Sequence, residues 1–216
     1  MKEITEQSLD GLRERVMHEM SPKRFRHTLA VEQMVERLCA LFCPEESLRM
    51  RAAALLHDLT KELDTAGQTA LCHQMGISLT PADLLAPKTL HARTAAARIE
   101  VDFSEFSDPV VIDAVRWHTT GRAGMTLTEK LLYLSDYIDL SRTFSNCVIL
   151  RHYFFGAAPE SMNGEERLAL LRDTLILSYD MTIRDLLDEG IPVAEDTVMA
   201  RNELLLEKAV AEGRFA

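Results

Sequence analysis

Along the 216 residues, apolar positions recur at helical spacing, and the few β-branched stretches are too short and too poorly alternated to make a sheet. The pattern predicts an all-α protein. His27, Val31, Met34, Leu38 and Leu41 form one stripe, which predicts a helix over about 22–42 with that line facing the core. Pro44 opens a second helix that runs through Leu48, Ala52, Leu55 and Leu56 to His57, with a soft end near Thr60. Thr65 and Gly76 read as N-cap and C′ residues of a short helix, and "TPAD" at 80–83 reads as another helix start. A segment over about 88–100 carries His91. Asp108 and Pro109 begin a helix whose stripe is Val111, Ala114 or Val115, and His118, and "TTGRAGM" interrupts it. Thr126 and Glu129 form a capping box for a helix to about 140, on which Leu132 and Asp136 share a face. Phe144 to Gly164 reads as the one sizeable irregular region. Two amphipathic helices follow, over about 165–189 with Gly190 as C′ and about 196–212.

Length and 47% hydrophobic content suit one domain with a real core, so residues 1–216 are expected to form a single unit with its core over about 20–142 and C-terminal helices over about 165–212. A net charge of -10, with scattered lysines and arginines, argues against a protein that wraps a nucleic-acid polymer. A local cationic site for a small anion is still allowed. The start, "MKEITEQSLDGLRERV", is charged throughout and lacks the apolar stretch of a signal peptide, and no run approaches a membrane span. Cys39, Cys43, Cys72 and Cys147 have no CxxC spacing, which predicts neither a disulfide framework nor a structural zinc site. The cytoplasm is the expected compartment. Cys39 and Cys43, one helical turn apart, read as packing.

The candidate chemistry lies on the apolar stripes. Any one of His27, His91, His118 or Asp136 has an ordinary explanation as a satisfied core or helix-end residue. Together with His57 and Asp58, all lie on or beside an apolar stripe, where unpaired imidazoles and carboxylates are costly to desolvate. Something must satisfy them jointly, and helical bundles build metal centres in this way. Four imidazoles and two carboxylates with no thiolate suit Fe, Mn or a catalytic Zn or Co. Six ligands are too many for one ion with an open position, so two ions bridged by Asp58 are the economical arrangement. Successive helical residues diverge by about 100°, so His57 and Asp58 reach one ion together only where the helix ends.

The order H…HD…H…H…D resembles the HD-domain metal-dependent phosphohydrolases. "SPKRFRHTLAV" (21–31), "LLHDLTK" (55–61), "HTTGRAGM" (118–125), "EKLLYLSDYIDLSR" (129–142) and "DTVMARNELL" (196–205) resemble the YqeK branch, the bacterial symmetrical bis(5′-nucleosyl)-tetraphosphatases. The resemblance implies an all-α HD-domain helical bundle with additional C-terminal helices. It implies two divalent or mixed-valence transition-metal ions, iron foremost and Mn, Co or Zn as substitutes. Their implied ligands are His27, His57, Asp58, His91, His118 and Asp136, with Asp58 and Lys61 as the catalytic pair. It also implies hydrolysis of diadenosine tetraphosphate into two ADP by metal-activated water. Lys61 matches the lysine after the HD pair and is expected to bind phosphate; Arg24, Arg122 and Arg142 match cationic positions, where carboxylate pairing is the competing use. The expected partner is a small-molecule dinucleoside polyphosphate, with no nucleic-acid polymer and no membrane; a homodimer is left open.

The chain departs from the branch at Ser135 and at Asp139-Leu140, where Ala and Glu-Pro are usual, and "RHYFFGAAPESMNGEERL" looks longer than the norm. No adenine pocket is visible, and Trp117 fits packing as well as base stacking. Two rival functions use the same residues: an HD phosphohydrolase of nucleoside monophosphates or cyclic nucleotides, and a non-catalytic metal-stabilised helical module. The cationic Lys61 and the "HTTGRAGM" loop beside the ligands argue against the second rival.

Overall fold

The computed structural model describes residues 3–214. Among them are eleven α-helices and no strand: α1 (Glu6–Glu19), α2 (Pro22–Phe42), α3 (Ser47–Leu56), α4 (Thr65–Gln74), α5 (Pro81–Leu85), α6 (Leu90–Asp102), α7 (Pro109–Trp117), α8 (Leu127–Ile138), α9 (Ser145–Gly156), α10 (Gly164–Asp188) and α11 (Glu195–Ala211). None of these helices is long and apolar enough to cross a membrane.

Helix α3 is the centre of the bundle, since every residue from Met50 to Leu56 is buried. A helix apolar on all sides belongs inside, and Ala52, Ala53 and Ala54 leave room for its neighbours to come close. It packs against α1, α2, α7 and α8, while α6 packs on α7 and the α10–α11 pair joins through α9 and α10. One continuous apolar cluster runs from Leu9 through Leu38, Leu55, Val115 and Leu132 to Tyr179 and Leu204. Arg51, the charged member of α3, is turned to the α1–α2 side, where its Nε donates to Glu32 at 3.1 Å and its Nη1 to Glu6 at 2.6 Å. Arg13 of α1 donates to the same Glu32 from its Nε at 2.9 Å, so a buried acid shared by two arginines fastens α1 to the core.

The expected helix starts near residue 22, at Thr80 and at Asp108–Pro109 are present, as is the Thr126–Glu129 capping box. Pro44, expected to open the second helix, instead opens a single 3-10 turn, Pro44–Glu46, and α3 begins after it at Ser47. Three further expectations need correction. Helix α1 lies in the charged opening stretch: Leu9, Leu12 and Val16 give it a thin buried stripe, and a Thr5–Ser8 capping box starts it. The N-cap of α4 is Asp64, whose carboxylate accepts the Gly67 N–H; Thr65 is the first helical residue. The stretch expected to be irregular from Phe144 to Gly164 contains α9, which buries Cys147, Leu150 and Phe154 along one face at i, i+3 and i+7. Its lack of a capping side chain removed the usual start signal.

The loop that interrupts the α7 pattern turns at Gly121, whose φ is +64°. A Cβ there would lie 1.9 Å from the Tyr179 hydroxyl and 3.1 Å from Met125 Sδ. Gly124 has the same backbone sign, φ +69°, yet open space around it. Gly124→Ala is therefore expected to cost only the left-handed strain of ~1–2 kcal/mol. Gly121→Ala adds a clash with a buried tyrosine and is expected to cost several kcal/mol, on the order of an overpacked core site plus that strain. Urea unfolding of the two variants checks this; equal midpoints would show that Tyr179 yields.

Candidate metal centre

The HD pair sits where α3 stops. Intrahelical bonding ends at Leu56, His57 is the C-cap, and the chain continues in turns, with Leu59 N–H donating to Leu56 O at 3.3 Å and Lys61 N–H to Asp58 O at 3.1 Å. The freed backbone lets His57 and Asp58 aim at the same space. His118 is placed in the same way as the C-cap of α7, while His91 lies in the first turn of α6, His27 on the buried stripe of α2 and Asp136 on α8.

Three imidazoles use one orienting device. Nδ1–H donates to a backbone carbonyl three residues back: His57 to Ala54 at 2.6 Å, His91 to Lys88 at 2.7 Å and His118 to Val115 at 2.6 Å. A carbonyl only accepts, so Nδ1 must carry a proton and Nε2 is turned to the interior. His27 is oriented by side chains instead: its Nδ1 faces Ser141 Oγ at 3.2 Å and Asp139 Oδ2 at 3.5 Å, and its Nε2 faces Asp136 Oδ1 at 2.9 Å.

The four Nε2 atoms converge on Asp58, and they divide between its oxygens. Oδ1 faces His91 at 3.3 Å and His118 at 3.8 Å; Oδ2 faces His57 at 3.4 Å and His27 at 3.7 Å. Two groups of donor atoms, His27–His57–Asp136 and His57–Asp58–His118, each lie within 4.8 Å of one another, the span of a metal site. Two details fit cations there. His57 Nε2 is buried without a hydrogen-bond partner. The Nε2 atoms of His91 and His118 stand 3.0 Å apart. Thr119 Oγ1 lies 3.2 and 3.1 Å from these two, and one hydroxyl can donate to only one of them.

The electrostatics agree. Burial holds His91 below its ordinary pKa, helped by the Lys61 charge, and holds His118 well below it, helped by its imidazole neighbours, so both stay neutral. Burial also opposes the charged form of His57, but Asp58 and Asp136 overcome it and carry its pKa up to about 10. For Asp58, burial favours protonation and is outweighed by His57 and His91, so the carboxyl is held well below the usual range; Asp136 is held there by Arg142, His27 and His57. Burial likewise opposes the charged form of His27, and Asp136 and Asp139 outweigh it, so without an ion the anions draw protons onto His57 and His27. A divalent cation supplies the same compensation and leaves the rings neutral.

The structure brings all six expected ligand residues together. Arg24 Nη1 donates to Asp58 Oδ2 at 2.6 Å, and Arg142 donates to Asp136, with its Nε 3.4 Å from Asp139 Oδ2. Both arginines keep partly exposed side chains at the mouth. Lys61 Nζ lies against the His91 ring, 3.2 Å from Nε2, and its pKa is lowered chiefly by burial. A cleft of about 240 Å³ lined by Lys61, Gln68, Lys88 and His91 opens beside it. Arg122 lies elsewhere: it forms a forked pair with buried Glu129, at 2.7 and 3.2 Å, and bonds none of the six. Sequence reasoning passed over Thr119 and Ser141, whose hydroxyls face the imidazoles. It noticed Asp139 only as a shortened acid; Oδ2 of this residue is buried without a hydrogen-bond partner, while Oδ1 accepts the Ser141 N–H at 2.8 Å.

Comparison with known proteins places this geometry. Residues 24–141, which contain all six residues, match the HD domain. A Halalkalibacterium halodurans protein named symmetrical bis(5′-nucleosyl)-tetraphosphatase is 30% identical over 191 residues, 88% of this chain and 92% of that one. A Bacillus subtilis protein of the same name is 29% identical over 192 residues, 88% of this chain and 94% of its own length. A crystal structure from Clostridium acetobutylicum, described as a predicted HD superfamily hydrolase involved in NAD metabolism, superposes with a TM-score of 0.76 at 29% identity, covering 92% of this chain and 97% of that one. By the match over 24–141 and by these relatives, the chain belongs to the HD-domain family of hydrolases.

Proposed function

We propose that the protein hydrolyses a dinucleoside tetraphosphate, diadenosine tetraphosphate foremost, symmetrically into two nucleoside diphosphates. The observation that carries this reading is the split of Asp58, one oxygen toward His91 and His118 and the other toward His27 and His57, in an HD-domain chain with two tetraphosphatase relatives matched along most of their length. His27, His57 and Asp136 would hold one transition-metal ion, His91 and His118 a second, and Asp58 both; the imidazole and carboxylate donors suit iron, with Mn, Co or Zn as substitutes. Such ions, when bound, supply an acidified water near neutral pH and a polarised phosphoryl oxygen.

The chain's own residues do the remaining work. The backbone carbonyls of Ala54, Lys88 and Val115 fix three imidazoles by their Nδ1–H groups, so the donor set is preorganised. Lys61, held between the His91 ring and the open cleft, is in position to offset the negative charge that builds on the polyphosphate. Arg24 and Arg142 flank the mouth and supply cations for the remaining phosphates. A nucleoside diphosphate leaves readily, so no dedicated general acid is required. Four free, buried cysteines support a reducing, cytoplasmic setting.

Three outcomes test the reading. Purified protein is expected to carry close to two first-row transition ions per chain; Asp58→Ala loses both, His118→Gln loses turnover while staying helical, and exposed His73 tolerates Gln. Metal analysis with circular dichroism checks this, and a metal-free wild type that stays active after chelation rules the centre out. Diadenosine tetraphosphate is expected to give ADP alone, with oxygen from labelled water in one of each two ADP molecules. ATP plus AMP defeats symmetric cleavage, and faster turnover of NAD, a nucleoside monophosphate or a cyclic nucleotide reassigns the substrate. Finally, Lys61→Ala is expected to lower kcat by about 10²-fold or more with little change in KM, the mark of charge met in the transition state. Arg122→Met leaves both constants in place and lowers stability by about 1–3 kcal/mol through the buried Glu129 it strands.

A further inference from the structure

A cavity of about 480 Å³ lies between α8, α9 and α10, within the size range of small-ligand pockets. Its wall includes Tyr137, Arg142, Phe144, Asn146, Met181 and Asp185. Arg142 belongs to two places at once, since this lining residue also pairs its guanidinium with Asp136 in the cluster of candidate ligands. The cavity therefore begins one side chain away from the metal centre.

Its walls differ in character. Tyr137 is fixed, stacked on Tyr133 with ring centroids 5.1 Å apart and with its hydroxyl 3.1 Å from Thr182 Oγ1. Phe144 is the opposite: it is 70% exposed, as Leu140 is at 71%, so the residues two before and two after Arg142 in the chain are large apolar side chains that stand in water. On the rim Asn146 Nδ2 donates to Asp185 Oδ2 at 2.8 Å, which leaves Asn146 Oδ1 and Asp185 Oδ1 as free acceptors. An aromatic face, a pair of acceptors and a cation leading to the reacting phosphates match a nucleoside with its base, its amino edge and its phosphate. The other sizeable cleft near the centre, about 410 Å³ beside Trp117, has three acids in its wall, Asp83, Glu195 and Asp196, against Arg93, paired with Asp83, and Arg116, which lies over the Trp117 ring, and it lacks a side chain shared with the metal cluster.

We propose that the cavity between α8, α9 and α10 receives one nucleoside of the substrate. Its base stacks on Phe144 and its exocyclic amino group is read by the Asn146–Asp185 pair, while Arg142 holds the phosphate that joins it to the metal centre. The assignment rests on reading that centre as a nucleotide phosphohydrolase, and it makes Phe144 and Asn146 determinants of specificity.

The test is calorimetric binding of ADP and of pyrophosphate to metal-loaded wild type, Phe144→Ala, Phe144→Trp and Asn146→Leu, with diadenosine tetraphosphate kinetics alongside. Phe144→Ala is expected to weaken ADP about tenfold, to leave pyrophosphate unchanged and to raise KM without changing kcat, and Phe144→Trp restores ADP binding. Asn146→Leu is expected to abolish the preference for ADP over inosine diphosphate. Unchanged ADP binding in Phe144→Ala, or an equal loss for pyrophosphate, overturns the base site. A wild type that splits diadenosine tetraphosphate while Phe144→Ala keeps its KM removes the base site and leaves the activity standing. A wild type that binds ADP through Phe144 but does not split the tetraphosphate removes the activity and leaves the base site standing. Failure to bind either probe removes both.

Discussion

A carboxylate that is 2% exposed in the middle of a helical bundle sets the terms for the rest of the structure. Burying Asp58 uncompensated would cost several kcal/mol, so every neighbour that reaches it must bring a positive charge, a proton or a metal ion. Five side chains do reach it, from α2, from the end of α3, from α6 and from the end of α7. These are also the elements that enclose the apolar core. The charge cluster and the fold therefore share a framework, and α3 can be buried all round because its polar requirement is confined to Arg51, answered by Glu32 and Glu6, and to the cluster just beyond its last turn.

The way the imidazoles are held explains how so polar a centre stays ordered. Three of the four histidines are fixed by a carbonyl of their own local chain, and two of these carbonyls, of Ala54 and Val115, lie in the last turn of a helix, where carbonyls lack an intrahelical partner. Each ring thus bonds a backbone carbonyl with one nitrogen and aims the other inward. His27 lies mid-helix, where every carbonyl is already used, and it needs Ser141 and Asp139 from the turn after α8 instead. The stretch from Asp136 to Arg142 consequently carries Asp136, the two side chains that orient His27 and a cation within seven residues.

Much of this was legible in the sequence where local chemistry decides it. The stripe ending in His57, the proline-led start of α7 and the capping box of α8 state their structure directly, whereas Pro44 marks a 3-10 turn ahead of α3. The convergence of six polar residues from the apolar faces of separate helices was legible because desolvation leaves few other arrangements. Helix α1 was obscured because its three apolar positions are spread among charges, and its attachment depends on Glu32 and Arg51 far along the chain. Helix α9 was obscured by aromatic and glycine content typical of loops; its helical state comes from packing Leu150 and Phe154 into the core, a tertiary effect that overrides weak local signals. For Arg122 the sequence offered phosphate and carboxylate equally, and only the fold shows Glu129 within reach.

The acidity of the chain and the anionic character of its proposed substrate are reconciled by where the cations sit. At physiological salt, charges separated by more than about 8 Å are largely screened, so a net charge of -10 spread over the surface matters less at the mouth than Arg24, Lys61 and Arg142 do. Arg24 and Arg142 now answer Asp58 and Asp136, the carboxylates that the proposed ions would engage. Divalent cations on those carboxylates would turn a locally balanced cluster into one with positive charge to spare. The guanidiniums would then be released to attract phosphate, so that affinity for a polyanion would depend on the same ions that the proposed chemistry needs. On that reading the chain without its metal would be neither a catalyst nor a strong nucleotide binder, and the buried acids would be what couples phosphate affinity to metal loading.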